Sequence, residues 1–225
     1  MVPALADLER KVQAPGANAL DRLRLVAAPL VPEVRLHLAE DAIVWWARME
    51  AEAGQALGPP FWASAWPGGQ ALARYVLDHP EVAAGRRVLD LAAGSGLAAI
   101  AAAKAGAAAV TANDIDPYAL AAITLNARAN RACVTGVNDD LLDGDGGDAE
   151  LVLAGDVFYS SAMAERMLPF LERVAAQGAC VLVGDPGRAF LPEDRLQVVA
   201  SYPVSPGDAF ADAEITRMDV LQPRR

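Results

Sequence analysis

The sequence predicts one α/β domain whose sheet is mostly parallel, and three observations lead to this class. From residue 61 onward, short apolar strands alternate with helical stretches of about 10 to 15 residues, the pattern of βαβ units. The chain has 225 residues, enough for one compact domain of about 100 to 200 residues and a short appendage. Hydrophobic residues make up 54% of the chain and charged residues 21%, so a buried core is expected and disorder is not.

Residues 1–60 differ from the rest and are predicted to form an N-terminal extension. Prolines divide this segment into short helical pieces, and residues 34–38 alternate apolar and polar side chains as a strand does. A helix is predicted over 41–54, with Asp41 as its N-cap and Gly54 as its end. The extension should therefore contain both helix and strand.

Residues 61–225 are predicted to carry the sheet. The parallel strands are expected at 87–91, 109–113, 133–137, 151–154 and 180–183. The helices are expected at about 68–79, 95–105, 117–130 and 161–176, and Asp116 and Pro117 mark the start of the third. Two last apolar runs, 196–204 and 214–221, are predicted to form an antiparallel hairpin. The whole is a Rossmann-like, doubly wound sheet of seven strands.

The charge of the chain argues against nucleic acid as a partner. With 29 acidic and 19 basic side chains the net charge is -10 and the pI about 4.6, so a surface that neutralises phosphates is not expected. The longest apolar run, 97–110, is interrupted by Lys104 and is shorter than the roughly 20 residues that span a bilayer. We expect no membrane segment and, because no signal or transit peptide is recognisable, a cytoplasmic protein.

No metal site is expected either. Only His37 and His79 could supply imidazole, and no paired Cys/His spacing occurs. Cys133 and Cys180 lie in apolar runs and are interpreted as small buried hydrophobic residues rather than a disulfide.

The strongest local signal is the segment VLDLAAGSG at 88–96, a strand that ends in a turn of small residues and opens a helix. The small residues Ala92, Gly94 and Gly96 would let the backbone approach a ligand, and free N–H groups at the helix start would favour a polar or anionic group. The pattern indicates a nucleotide-type site. The alternative is a tight turn that binds nothing.

The glycine spacing argues against a dinucleotide. The fingerprint G-x-G-x-x-G would fall on Ala92, Gly94 and Leu97, and Gly96 is out of phase. Asp90 in the turn would repel a pyrophosphate but attract an ammonium group. S-adenosylmethionine carries an ammonium group and no phosphate, and the segment resembles the first motif of class I, seven-strand methyltransferases.

Acidic residues follow the next two strands. Asp114 lies about 20 residues beyond the glycine turn, where a carboxylate can accept both ribose hydroxyls. Asp116 is better explained as a helix cap. After the third strand, Asp140, or Asp139 one position earlier, is a candidate for reading the adenine edge. A solvated acidic turn is the alternative there.

The segment GDVFY at 155–159 ends the fourth strand. Asp156 there could hold an amine through a hydrogen bond, while Phe158 and Tyr159 line its alkyl stem and stabilise its cation. Alternatively the two rings cover the core and Asp156 caps the next helix. Upstream, Trp62 and Trp66 precede a helix start and are expected to cover the cofactor.

The residues resemble a known family, the lysine methyltransferases of the electron-transfer flavoprotein β subunit, over about 32–191. The segments that carry the resemblance are PEVRL (32–36), FWASAWPGGQALARY (61–75), VLDL (88–91), ANDIDP (112–117), ITLN (123–126), GDVFY (155–159) and GDPGR (184–188). The resemblance implies an enzyme that uses S-adenosyl-L-methionine, releases S-adenosyl-L-homocysteine and methylates lysines of a protein substrate, that flavoprotein subunit.

The resemblance also implies roles for individual residues. Asp156 to Tyr159 match the family motif Asp-x-x-Tyr/Phe, and the cofactor contacts would be Trp66, the 92–96 turn, Asp114 and Gly155. Two departures are Ala92, where glycine is commoner, and the acids Asp139 and Asp140, where polar amides are expected. A ribosomal-protein methyltransferase, a small-molecule N-methyltransferase and a non-catalytic relative remain as alternatives.

Overall fold

The computed structural model describes residues 3–13, 20–204 and 215–224. Its helices are α1 (Pro3–Gln13), α2 (Ala42–Ala53), α3 (Pro67–Asp78), α4 (Leu97–Lys104), α5 (Pro117–Asn130) and α6 (Ser161–Ala176), with short 3₁₀ turns at Phe61–Ala63 and Pro80–Val82. Its strands are β1 (Leu23–Ala27), β2 (Arg35–Ala39), β3 (Arg87–Leu91), β4 (Ala109–Asn113), β5 (Thr135–Val137), β6 (Leu151–Gly155), β7 (Cys180–Asp185), β8 (Leu196–Pro203) and β9 (Arg217–Pro223).

Strands β3 to β9 form one seven-stranded sheet in the order β5-β4-β3-β6-β7-β9-β8. The first five strands in this order are parallel, and β9 runs antiparallel to both β7 and β8. The predicted fold class and the terminal hairpin are thereby confirmed, although residue 214 of the second predicted run lies outside the described residues. The chain order reverses between β3 and β6, and in such sheets ligands bind at the carboxyl ends of the strands beside this point.

Helices cover both faces of the sheet. Apolar side chains of α3, α4 and α5 pack on one face, and those of α6 pack on the other. The caps predicted from sequence are present, because Asp41 accepts from the first turn of α2 and Asp116 from that of α5. Cys133 departs from the prediction, since it is exposed rather than buried.

Glycines allow the start of α3 to lie directly against the carboxyl ends of β6 and β7. A side chain on Gly68 or Gly184 would overlap the carbonyl of the other residue, and a Cβ on Gly155 would lie 2.9 Å from the Cα of Gly69. Only hydrogen fits at these positions. The close packing brings the first turn of α3 to the switch point of the sheet.

The N-terminal extension packs on the sheet domain. Helix α1 and strand β1, which the sequence did not predict individually, join α2 and β2 here. The backbone of His37 in β2 donates to the side chain of Asn126 in α5 at 2.8 Å, and the Tyr118 hydroxyl of α5 donates to Asp7 of α1 at 2.9 Å. Among the described residues, no helix is long and apolar enough to cross a membrane.

Candidate active site

A cavity of about 700 Å³ opens at the carboxyl ends of β3, β4 and β6. Its walls are the turn after β3, the residues after β4 and β6, the first turn of α3 and the segment 57–62 of the chain. A larger concavity of about 1250 Å³ lies at the opposite edge of the sheet, around the loop 145–150. None of the site residues predicted from sequence, all of them within the described ranges, lines that second concavity, whereas most of them line the first.

The turn after β3 has a left-handed backbone at three positions. The φ angles are 50° at Ala92, 52° at Gly94 and 78° at Gly96. Ala92 and Gly94 line the cavity, and the positive φ explains why glycine is favoured where this chain has alanine. Gly96 does not line it. A Cβ there would lie 3.1 Å from the side chain of Ile123, so this glycine allows close helix packing.

The backbone N–H groups of this turn are engaged by the protein, contrary to the expectation of free donors. The amide of Ala93 donates to the carbonyl of Asn113 at 2.9 Å, and that of Gly96 to the carbonyl of Ala93 at 2.8 Å. The amide of Gly94 donates to the carboxylate of Asp114 at 2.9 Å. These three amides are therefore not free to bind a phosphate.

Asp90 is buried in the floor of the cavity. Its Oδ2 accepts a 2.9 Å hydrogen bond from the amide of Ala99, in the first turn of α4. The pKa of Asp90 is raised to about 7, mainly by burial and in part by the nearby carboxylate of Asp114, while the hydrogen bond from the Ala99 amide opposes the rise. A positive group in the cavity would favour the charged form of Asp90.

Asp114 lines the cavity beyond β4. One carboxylate oxygen accepts from the amide of Gly94 and the other from the amide of Asp116, at 2.9 and 3.0 Å. Each oxygen keeps a second acceptor site, so Asp114 can still take hydrogen bonds from two hydroxyls. Burial raises the pKa of Asp114, and these amides oppose the rise.

Asp140 does not line the cavity, so the structure does not bring it together with the other residues predicted for the cofactor. Arg166 of α6 donates to both of its carboxylate oxygens, at 2.7 and 3.1 Å, and this arginine holds the pKa of Asp140 below its usual value. Asp139 is not a lining residue either. The ion pair of Asp140 with Arg166 of α6 is about half-exposed to solvent.

Asp156 follows β6 in a left-handed conformation, with φ 58°. Its Oδ2 accepts from the amide of Gly69 in the first turn of α3 at 2.9 Å, and its Oδ1 accepts from Nη2 of Arg188 at 2.8 Å. Burial raises the pKa of Asp156 to about 6, and Arg188 opposes the rise. Asp156 therefore caps α3, while Ser160 caps the next helix, α6.

The two aromatic residues that follow Asp156 have different environments. Phe158 is fully buried in the core against α6, where Phe170 also lies, and it does not line the cavity. Tyr159 is half-exposed and lines the cavity. Its ring lies 5.7 Å from that of Phe61. Only one of the two rings is placed to contact a substrate.

The mouth of the cavity is aromatic and carries one cation. The Trp66 indole donates to the carbonyl of Phe61 at 2.7 Å, and the two rings meet edge to face at 5.8 Å. The guanidinium of Arg188 lies 5.6 Å from the Trp66 ring centre. Trp62 is buried and forms an inner wall, stacked on Tyr118.

Sequence reasoning missed several residues that line this cavity, among them Phe61, Gly69 and Arg188. Arg188 could have been found, because it follows the strand predicted next to that of Asp156, and parallel strands end at one edge of the sheet. Gly69 gave no signal, since its contact with Asp156 joins residues 87 positions apart. No group of acidic, histidine and cysteine side chains suited to a metal occurs in the described part of the chain.

The fold and the site together define a class I type of methyltransferase domain. The family model of ribosomal protein L11 methyltransferase matches residues 70–181. The crystal structure of magnesium protoporphyrin IX methyltransferase from Synechocystis PCC 6803 with bound SAM has the same fold, with a TM-score of 0.53 at 13% identity over 99% of this chain and 93% of that one.

Relatives identify the family within this class. The electron transfer flavoprotein beta subunit lysine methyltransferase of Xenopus laevis is 40% identical over 197 residues, covering 85% of this chain and 79% of the relative. That of Danio rerio is 44% identical over 162 residues, 71% of this chain and 62% of the relative. The chain belongs to the family of electron transfer flavoprotein beta subunit lysine methyltransferases. The resemblance predicted from sequence is confirmed.

Ribosomal relatives match less of the chain. The ribosomal protein L11 methyltransferase of Bacillus cytotoxicus is 39% identical over 99 residues, which cover 42% of this chain and 30% of the relative. The ribosomal alternative is therefore not favoured.

Proposed function

We propose that this chain transfers methyl groups from S-adenosyl-L-methionine to lysine side chains of the electron-transfer flavoprotein β subunit. The observation that carries the proposal is the arrangement at the sheet switch point. A cofactor cavity with Asp90 and Asp114 is continuous with a substrate end where Asp156, Tyr159 and Trp66 meet. Family membership supports the kind of substrate.

The charges in the cavity fit this cofactor better than a dinucleotide. Four carboxylates line the cavity, those of Asp90, Asp114, Asp116 and Asp156. Among the described lining residues Arg188 is the only basic side chain, and it is bound to Asp156. A pyrophosphate would be repelled by these carboxylates, and three amides of the turn are already engaged, whereas an ammonium group and ribose hydroxyls meet acceptors.

We assign individual contacts on the same basis. Asp90 would face the ammonium group, directly or through water, and Asp114 would accept from the ribose hydroxyls. Ile115 is an exposed apolar side chain beside Asp114 at the cavity edge, and we assign it to the face of the adenine ring in place of Asp140. Ala92, Gly94 and Gly155 leave room for the backbone to approach the cofactor.

The cofactor, when bound, supplies a methyl group that is activated by a positive sulfur. The task of the protein is to deliver a neutral, aligned amine. A free lysine has a pKa of about 10.4, and transfer from water to the aromatic mouth lowers it. Tyr159, Phe61 and Trp66 provide this environment. Asp156 orients the nitrogen through an N–H hydrogen bond, so that its lone pair points at the methyl carbon.

Mass spectrometry of the purified flavoprotein β subunit, after incubation with enzyme and cofactor, tests the proposal. We expect a mass increase of one or more methyl groups on lysine residues, absent without cofactor. Ribosomal protein L11, incubated in parallel, is the matched alternative substrate, because the L11 methyltransferase model matches this chain. The assignment would be refuted if the flavoprotein subunit stayed unmodified, whether or not L11 was methylated.

A further inference from the structure

Arg188 occupies the place where the substrate amine should enter. Its guanidinium donates to Oδ1 of Asp156 and lies over the ring of Trp66, the two groups that a lysine ammonium would use. Both partners line the cavity, as Arg188 itself does. A lysine ammonium can donate to Oδ1 of Asp156 in place of Arg188 only after the guanidinium has moved.

A second acidic partner for Arg188 is already in place. Asp185, at the end of β7, is fully buried, and its Oδ1 accepts from the backbone amides of Gly187 and Arg188 at 2.8 and 2.7 Å. Its Oδ2 has no hydrogen-bond partner among the described residues, and Nε of Arg188 is buried and equally unpaired. Buried polar atoms are nearly always paired, so a carboxylate oxygen and a guanidinium nitrogen that both lack a partner, on residues three positions apart, need an explanation.

The charges near Arg188 lead to the same conclusion. One guanidinium faces two buried carboxylates, since the charge of Arg188 lowers the pKa of both Asp156 and Asp185 while burial raises both. Asp219, paired with Arg217, adds further negative charge beyond Asp185. The described cluster thus has three carboxylates and two guanidinium groups, and an entering lysine ammonium would favour the ionised form of Asp156.

We propose that Arg188 is a positioning residue that holds the Asp156 carboxylate while the substrate site is empty and moves to Oδ2 of Asp185 when a lysine enters. The move frees Oδ1 of Asp156 and the face of Trp66 for the lysine, and it pairs the two unsatisfied atoms. This inference rests on the proposed function.

Nuclear magnetic resonance of the full-length protein tests the move without any turnover. The probe is n-butylammonium chloride, a mimic of the lysine side chain, added to protein labelled at arginine nitrogens and aspartate carboxyl carbons. We expect the Asp156 carboxyl and the Arg188 Nε–H resonances to shift together. Arg173, whose Nε donates to the carbonyl of Gly144 at 2.8 Å, is the internal control and should not shift.

Two outcomes of this experiment would overturn the proposal. One is an Asp156 resonance that responds while Arg188 stays unchanged, because the guanidinium then remains in place. The other is an Asp156 resonance that does not respond, because Asp156 then receives no amine. In Asp185→Asn the Arg188 shift should disappear while the Asp156 shift persists more weakly.

Kinetics of lysine methylation provide a second test through a double-mutant cycle on KM for the protein substrate. Asp185→Asn should raise KM about tenfold with little change in kcat, because Arg188 loses its second partner. With Arg188→Gln present, the same Asp185→Asn change should have no further effect. Additive effects would mean that the two residues only support the fold. If the wild-type protein methylates no lysine, the proposed function fails, whereas the resonance experiment still decides the movement of Arg188.

Discussion

Asp156→Asn removes one negative charge from the substrate end of the cavity with little other change. Asparagine tolerates the left-handed region better than most residues, so the φ of 58° at this position is retained more readily than with alanine. The amide oxygen of the new side chain can still accept from Gly69. The variant therefore keeps the cap of α3 and loses the charged partner of Arg188.

The size of the two expected effects follows from these contacts. A hydrogen bond to a charged group contributes about 1.5 to 3 kcal/mol, so we expect a stability loss of about 2 kcal/mol, which a domain with about 5 to 15 kcal/mol can absorb. Loss of amine alignment should cost about 100-fold or more in rate. Affinity for S-adenosylmethionine should stay near normal, because Asp156 acts on the substrate amine.

Single-turnover methylation of the flavoprotein β subunit measures the rate, after folding and cofactor binding of each variant have been checked. Asp140→Asn is the matched control, because Asp140 also forms an ion pair with an arginine, Arg166, but lies outside the cavity. We expect the control to stay within about twofold of wild type, as surface pairs contribute little. An Asp156→Asn rate within about fivefold of wild type, the scale of one ordinary hydrogen bond of about 1 kcal/mol, would refute the orienting role.

Three further predictions concern the cofactor and the core. Asp114→Asn should weaken S-adenosylmethionine binding by about 30-fold, the scale of a lost pair of charge-assisted hydrogen bonds. If calorimetry finds an unchanged affinity in a folded variant, Asp114 does not bind the ribose hydroxyls. Cofactor affinity should rise with pH through about 7, where Asp90 loses its proton in the free protein, because the cofactor ammonium favours the ionised carboxylate and binding at lower pH must release that proton. Calorimetry in buffers of different ionisation enthalpy should detect the proton release. An affinity that does not depend on pH would exclude Asp90 from the ammonium site. Phe158→Ala should lower the free energy of unfolding by about 3 to 5 kcal/mol in denaturant titrations, whereas Tyr159→Ala should mainly lower the methylation rate, and the reverse result would return Phe158 to the site.

Local sequence signals determined the elements and their order. The strands Arg87–Leu91 and Ala109–Asn113 and the helices Pro117–Asn130 and Ser161–Ala176 have the predicted bounds, because periodicity, caps and first-turn prolines act within a few residues. The alternation of these elements also placed Asp90, Asp114 and Asp156 at one edge of the sheet, since right-handed crossovers leave parallel strands little choice.

The tertiary structure decided which of these side chains line the cavity and which contacts they make. Asp140 pairs with Arg166 and Asp156 with Arg188 across 26 and 32 residues of sequence, and Phe158 turns to the core formed by α6. The direction of a loop side chain depends on the partners and the space that distant segments provide. Those partners exist only once β6, β7 and the first turn of α3 are packed together, and a local pattern contains no information about them.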